Sequence, residues 1–272
     1  MSRPAVAADL LRTSARTLKM PGLARSFEAL ARQAREERWA YEEYLYETLA
    51  TEITSRTASA VRQRLQAARF PELKPLDTFD FAVAEGLDAA QLLELARGDW
   101  IGRAENVLLV GPIGTGKTHL AIALGIEAAR QRRHVAFWRA ADLVRTLLEA
   151  RDARELTRLQ RRLQRVDLLI LDELGFIPFD RPGGELLFNA LTARYERRAV
   201  LVTSNLAFSE WPQIFGGDEK LTTALLDRLA DRATVITTRG RSFRLRRRRT
   251  REAAPRPPTG PTDEEMPKDD TV

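Results

Sequence analysis

Eight consecutive residues, Gly111-Pro112-Ile113-Gly114-Thr115-Gly116-Lys117-Thr118, constrain this chain more than anything else in it. They fit the pattern G-x-x-x-x-G-K-[ST]. The apolar run Val107-Leu108-Leu109-Val110 precedes them and a helical pattern over 119–130 follows, which is the strand–loop–helix context the pattern needs. Glycines let a backbone curl until its N–H groups point at phosphate oxygens. The helix N-terminus adds partial positive charge. Lys117 supplies a point charge for the β and γ phosphates, and the Thr118 hydroxyl can ligate Mg²⁺. The candidate nucleotide contacts are therefore Gly111, Pro112, Ile113, Gly114, Thr115, Gly116, Lys117, Thr118 and the adjoining His119.

Around this loop, short apolar runs alternate with helical stretches. Strand candidates are 106–110, 134–138, 167–171, 199–203 and 234–238. Such runs separated by helices point to an α/β fold with a parallel sheet covered on both faces. The third run leads into Asp172 and Glu173. Ligands gather at the carboxyl ends of parallel strands, so Asp172 is the candidate for the Mg²⁺ shell. Glu173 is the candidate base that polarises an attacking water. The fourth run ends at Asn205, which either hydrogen-bonds the γ phosphate and the water or caps the turn before Leu206. Arg228 and Arg232 lie four apart in a helical stretch over 221–230 and just beyond it. Each is either an arginine finger for a neighbouring subunit or half of a surface ion pair with Asp227 or Asp231. The guanine-reading pattern N-K-x-D is absent: the chain's asparagines are Asn106, Asn189 and Asn205, none so placed. Adenine is favoured by default, and ATP with Mg²⁺ is the expected pair.

The first 70 residues contain one glycine and two prolines. Leu23, Phe27, Leu30 and Ala34 recur at helical spacing, as do Leu45, Leu49 and Ile53 after Tyr41 and Tyr44. Residues 56–69 read as another helix, stopped at Phe70-Pro71. A linker over 71–80 holds two prolines, and a short helix over 91–97 ends at Gly98. At the other end, residues 239–251 carry eight arginines and no acid, a stretch suited to a polyanion such as DNA or to solvation alone. The last 20 residues hold five prolines and five acids, for which disorder is expected. The chain has no cysteine, which removes disulfides and thiolate metal sites and suits a reducing, cytoplasmic setting. No apolar run approaches the roughly 20 residues of a membrane span, and the first 18 residues lack the apolar core of a secretory signal.

With these residues laid out, the chain resembles the IstB-type helper ATPases of insertion-sequence transposition, AAA+ proteins similar to DnaC-type helicase loaders. The resemblance runs from about residue 18 to 246. Specific stretches carry it: Leu18-Lys19-Met20-Pro21-Gly22, Ala67-Ala68-Arg69-Phe70-Pro71, Phe79-Asp80-Phe81, Gly98-Asp99-Trp100, Leu171-Asp172-Glu173-Leu174-Gly175, Thr203-Ser204-Asn205, Phe208-Ser209-Glu210-Trp211, Leu225-Leu226-Asp227-Arg228-Leu229 and Ser242-Phe243-Arg244-Leu245-Arg246. It implies an AAA+ sheet in the order 5-1-4-3-2, with an N-terminal helical domain over 1–74, an ATPase domain over 75–246 and a tail over 247–272. It implies no helical lid, a sensor role for Asn205 and a finger role for Arg228. Phe79 and Phe81 either line the adenine pocket or belong to the core. Three positions depart from the family pattern. Ile113 replaces a second proline, Asp231-Arg232 stands where a histidine pair is common, and Phe176 replaces a tyrosine.

The function so implied is an ATPase that self-associates on double-stranded DNA in its ATP form and assists a transposase. A replicative helicase loader would share the same nucleotide site and differ only in its partner. A DNA-binding protein switched by ATP without turnover would have no use for Glu173. A small-molecule P-loop kinase would need a lid with catalytic arginines, which the sequence does not offer.

Overall fold

The computed structural model describes residues 3–81, 84, 86–240 and 242–243. The basic residues Arg241, Arg244, Arg246, Arg247, Arg248, Arg249 and Arg251, and the tail over 247–272, lie outside the described residues. Five strands form one sheet: β1 (Asn106–Val110), β2 (Val135–Arg139), β3 (Leu168–Leu174), β4 (Ala199–Ser204) and β5 (Ala233–Thr237). All neighbours run parallel. The order is β2-β3-β4-β1-β5, which is 5-1-4-3-2 read from the other edge. It is the AAA+ arrangement that the resemblance implies.

Side chains on a strand alternate between its two faces, and that alternation builds two cores. On one face Val107, Leu109, Leu168, Ile170 and Leu201 pack with α4 (Ala89–Ala96), α5 (Asp99–Gly102) and α6 (Lys117–Arg130). On the other, Leu108, Leu169, Leu171, Val200 and Val202 meet α7 (Ala140–Asp152), α8 (Leu156–Gln164), α9 (Arg181–Thr192) and α10 (Glu219–Ala230). A 3-10 segment, Phe208–Phe215, closes this second core with the fully buried Trp211. Burial on both faces explains why the strands read as unbroken apolar runs.

Buried Arg194, just after α9, ties the strand starts together. Its guanidinium donates to the carbonyls of Leu163, Val166 and Ala199 and forms no hydrogen bond to a carboxylate among the described residues. Burial pushes its pKa down to about 10.

The N-terminal region is helical, as the spacing predicts: α1 (Arg3–Thr17), α2 (Pro21–Glu37) and α3 (Tyr41–Ala68). The expected break before residue 56 does not occur, because α3 is one helix of 28 residues. Its hydroxyl residues, which favour turns when their side chains compete for the backbone, instead bond back along the helix: Thr51 Oγ1 to Glu47 O and Thr54 Oγ1 to Ala50 O, both at 2.9 Å. The first half of α3 packs on α2, and its last turns bring Leu65 and Ala68 into the sheet core. Glu52, buried in α3, accepts the Gly22 and Leu23 N–H groups at the start of α2, at 2.7 and 3.0 Å. That carboxylate satisfies two orphan donors and meets the positive end of the helix. The proline-bearing linker contains a 3-10 turn at Leu76–Thr78. No helix among the described residues is long and apolar enough to cross a membrane.

Candidate functional site

The loop between β1 and α6 is shaped by its neighbours. Gly111 has φ +146°, and a Cβ there would lie 2.2 Å from Thr238 O. Gly116 has φ +97°, and a Cβ there would meet the Phe79 ring at 2.8 Å. Both positions demand glycine on conformation and on space. The chain beyond β5 continues across the loop as a strap. Thr238 N donates to Val110 O at 2.8 Å, the Thr238 and Thr115 hydroxyls lie 2.6 Å apart, and Phe243 N donates to Gly114 O at 3.0 Å. The buried Lys117 Nζ donates to Gly111 O and Pro112 O at 2.6 and 2.7 Å, held within the loop's own curve.

The two acids are organised by a residue that received no role in the sequence reading. Thr118 Oγ1 donates to Asp172 Oδ1 at 2.9 Å. Thr203 Oγ1, from β4, donates to the same oxygen at 2.6 Å and accepts Glu173 N at 2.9 Å. One buried hydroxyl therefore fixes the Asp172 carboxylate and the Glu173 backbone together. Asp172 and Glu173 lie within β3, which runs past the strand end expected at residue 171 and on to Leu174. There the pairing with β4 slips between Leu171 and Leu174. Glu173 has φ +59°, the left-handed region, which costs a non-glycine residue on the order of 1–3 kcal/mol. The irregularity interrupts the pleat at Glu173, and this residue borders the cavity beside the loop, whereas Asp172 is buried.

That cavity is about 690 Å³, within the range of ligand sites. Residues 113–119 line it, together with Glu173, Thr203 and Asn205 and with Pro75, Thr78 and Phe79. Asn205 borders it, and the hydroxyl bonded to Leu206 N is that of Ser204, at 3.2 Å, so the cap is Ser204. Phe79 lines the cavity, stacks edge-on against His119 at 5.2 Å and packs on Phe81. Phe81, like Phe79, is partly buried and packs against the core. His119 Nε2 donates to Pro75 O at 3.2 Å, fixing the linker to the start of α6. Ile113 and Phe176 line the cavity too and are largely exposed. Arg239 is the one arginine lining the cavity among the described residues.

Arg228 and Arg232 are not part of this cavity. Arg228 Nη1 donates to Thr192 Oγ1 at 2.8 Å, and its guanidinium lies 5.1 Å from the centre of the Phe188 ring. No ion pair links it to Asp227 or Asp231 among the described residues, and Asp231 instead accepts Tyr195 Oη at 2.7 Å. Arg232 lies 3.7 Å from Glu105.

A Mg²⁺ ion prefers hard oxygen donors, takes few from protein and completes its shell with phosphates and water. The joined Thr118 hydroxyl and Asp172 carboxylate fit that donor set. No cluster of three or more His, Cys, Asp or Glu suited to a metal occurs among the described residues, and such a site does not require one.

Comparison with known proteins agrees with this geometry. Residues 13–251 match the family described as IstB-like ATP binding protein. The chain is 39% identical over 251 residues to the ATP-binding protein of insertion sequence IS21 from Pseudomonas aeruginosa, covering 92% of this chain and 94% of that one. It is 36% identical over 235 residues to the ATP-binding protein of IS5376 from Geobacillus stearothermophilus, covering 86% and 93%. Among solved structures, DnaI superposes with a TM-score of 0.51 at 19% identity, over 66% of this chain and 92% of that one. AMPPCP-bound DnaA from Aquifex aeolicus does so at 0.51 and 21%, over 66% and 55%. At these identities the two structures speak to the fold.

Proposed function

The chain belongs to the family of IstB-like ATP-binding proteins and has the AAA+ fold, and from that premise we propose that it hydrolyses ATP while assembled on double-stranded DNA and thereby assists a transposase. The observation that carries the hydrolysis is the hydrogen-bonded chain Thr118–Asp172–Thr203–Glu173 at the edge of the phosphate loop. It supports a general-base role for Glu173, which borders the cavity that residues 113–119 line. A protein that only switched on binding would need no such group.

In this reading the loop N–H groups and Lys117 hold the β and γ phosphates, and Phe79 packs at the base end of the cavity. Glu173 accepts a proton as a water oxygen bonds to the γ phosphorus and the bridge to the β phosphate breaks, leaving ADP and phosphate. Asn205 orients that water. Mg²⁺, held by Thr118 Oγ1 and Asp172, would neutralise phosphate charge. Arg228 lies outside its own subunit's cavity and is already braced by Thr192 and Phe188. It is therefore assigned to the site of a neighbouring subunit, in preference to Arg232. Residues 1–74 are assigned to a helical module, 75–246 to the ATPase and 247–272 to a basic, then acidic tail. Duplex DNA is assigned to the arginines of residues 239–251.

The relatives that share most of this chain's length are insertion-sequence proteins by name, which favours transposition over helicase loading. The test is the ATPase rate with and without duplex DNA, alongside light-scattering mass with a non-hydrolysable ATP analogue. Turnover and assembly should both rise with DNA. ATP bound tightly but never hydrolysed, assembled or not, would refute the enzyme reading.

A further inference from the structure

Arg228 sits in the last turn of α10 and is half-buried, yet its side chain makes one hydrogen bond among the described residues, from Nη1 to Thr192 Oγ1 at 2.8 Å. An arginine fork has further donors at Nε and Nη2, and those of Arg228 are spent on no described residue. The guanidinium carbon lies 5.1 Å from the centre of the Phe188 ring, within cation–π reach. Phe188 and Thr192 are four residues apart in α9, so they share one face of that helix. Phe188 is itself packed against the second core. The guanidinium is therefore held at two points, by a hydroxyl at one nitrogen and by an anchored ring.

Helix packing alone does not account for this arrangement. An apolar residue at 228 would serve the contact between α9 and α10 without placing a cation there. Arg232 has no comparable cradle, because its side chain meets Glu105 at 3.7 Å and Arg103 already holds that carboxylate through two bonds of 2.9 Å. Neither Phe188 nor Thr192 borders the cavity of its own subunit, so neither acts on the nucleotide bound there.

We propose that Thr192 and Phe188 are positioning residues for the arginine finger, holding the Arg228 fork so that its unspent donors meet the γ phosphate of a neighbouring subunit. This rests on the assignment of Arg228 made above. A cation already held loses less freedom when the phosphate arrives. Geometry matters as much, since a misplacement of about 1 Å can cost roughly 100-fold in rate. Both residues act through Arg228 and touch no substrate.

Mixed assemblies test this, because they separate the two roles. A Lys117→Ala chain supplies a finger and an Arg228→Ala chain supplies a phosphate loop. Thr192→Val added to the finger chain should lower kcat of the mixture about 10-fold and leave KM within about twofold. Added to the loop chain it should change nothing further, because that chain has no finger to hold. Phe188→Leu should repeat the asymmetry. Thr192→Ser in the finger chain should restore most of the rate, since it keeps the acceptor oxygen. Light-scattering mass with a non-hydrolysable ATP analogue should be the same for every mixture, which separates a misplaced finger from lost assembly. Equal losses from the two chains would show a packing role, and that result, or no loss from either, would overturn the proposal. An unmodified pair that recovers no activity in confirmed mixed assemblies would remove Arg228 as the finger and this inference with it.

Discussion

Replacing Thr203 with valine keeps the shape of the side chain and removes its hydroxyl, which makes it the sharpest probe of how the acids are held. That hydroxyl donates to Asp172 at 2.6 Å and accepts the Glu173 N–H at 2.9 Å. A hydrogen bond to a charged group contributes about 1.5–3 kcal/mol, and an orphaned N–H away from water costs about 1–3 kcal/mol. Local relaxation recovers part of this, because Glu173 can leave its left-handed conformation once its tether is gone. A net loss of about 2–4 kcal/mol follows, which for a chain of this size lowers Tm by roughly 5–15 °C. Relaxation also swings the Glu173 carboxylate, so turnover should fall about 10- to 100-fold if it is the base. ATP affinity should stay close to wild type, since the phosphate loop keeps its own contacts. Differential scanning calorimetry and single-turnover ATP hydrolysis measure the two effects, and Thr203→Ser should restore most of both. A Thr203→Val protein that melts with wild type and hydrolyses ATP at the wild-type rate would refute the argument.

Glu173→Gln should bind ATP normally and hydrolyse it roughly 10²- to 10⁴-fold more slowly, the usual range for a general base; unchanged turnover would move that role to another residue. Lys117→Ala should lose ATP binding and Arg228→Ala should lose turnover in the assembly, yet mixing the two should recover partial activity, because one supplies a phosphate loop and the other a finger. No recovery in confirmed mixed assemblies would transfer the finger to Arg232. Burial alone would raise the pKa of Glu52, but hydrogen bonds from Arg56, Leu23 and Gly22 outweigh it and leave the pKa below the usual carboxylate range. Its contribution to stability is therefore complete above that range and lost as pH falls through the lowered value. Melting temperatures of Glu52→Gln and wild type should differ at neutral pH and converge in acid, and a constant gap would refute this linkage.

The sheet and the phosphate loop were legible because residue type and spacing suffice for them. An apolar strand buried on both faces reads as a run, and a glycine loop before a helix reads as a phosphate cradle. The break predicted near residue 56 failed for a physical reason. Thr54, Ser55 and Thr57 favour turns locally, but α3 is clasped by α2 along one half and by the sheet core along the other. Packing at both ends overrides a weak local preference. The exposed stripe of α3 was misleading in the opposite sense. Leu45, Leu49 and Ile53 have helical spacing, which signals a face seeking cover but does not say whether the cover lies in the same chain.

The arrangement of the acids was illegible for a different reason, since it depends on a conformation and not on a composition. Asp-Glu after an apolar run suggests two carboxylates on opposite faces of a strand, only one of which could reach the loop. The register slip in β3 changes this: Asp172 stays in line to meet Thr118, and Glu173 takes a left-handed turn at the cavity edge. The slip is sustained by β4, whose polar end is Thr203-Ser204-Asn205. Thr203 holds Asp172 and the Glu173 N–H, Ser204 Oγ donates to Leu174 O at 2.7 Å, and Asn205 borders the cavity. Each of the three thus has a separate task at the one point where β3 departs from regular pairing. A hydrophobic residue at 203 or 204 would suit the strand better by propensity and would leave the slip without its supports.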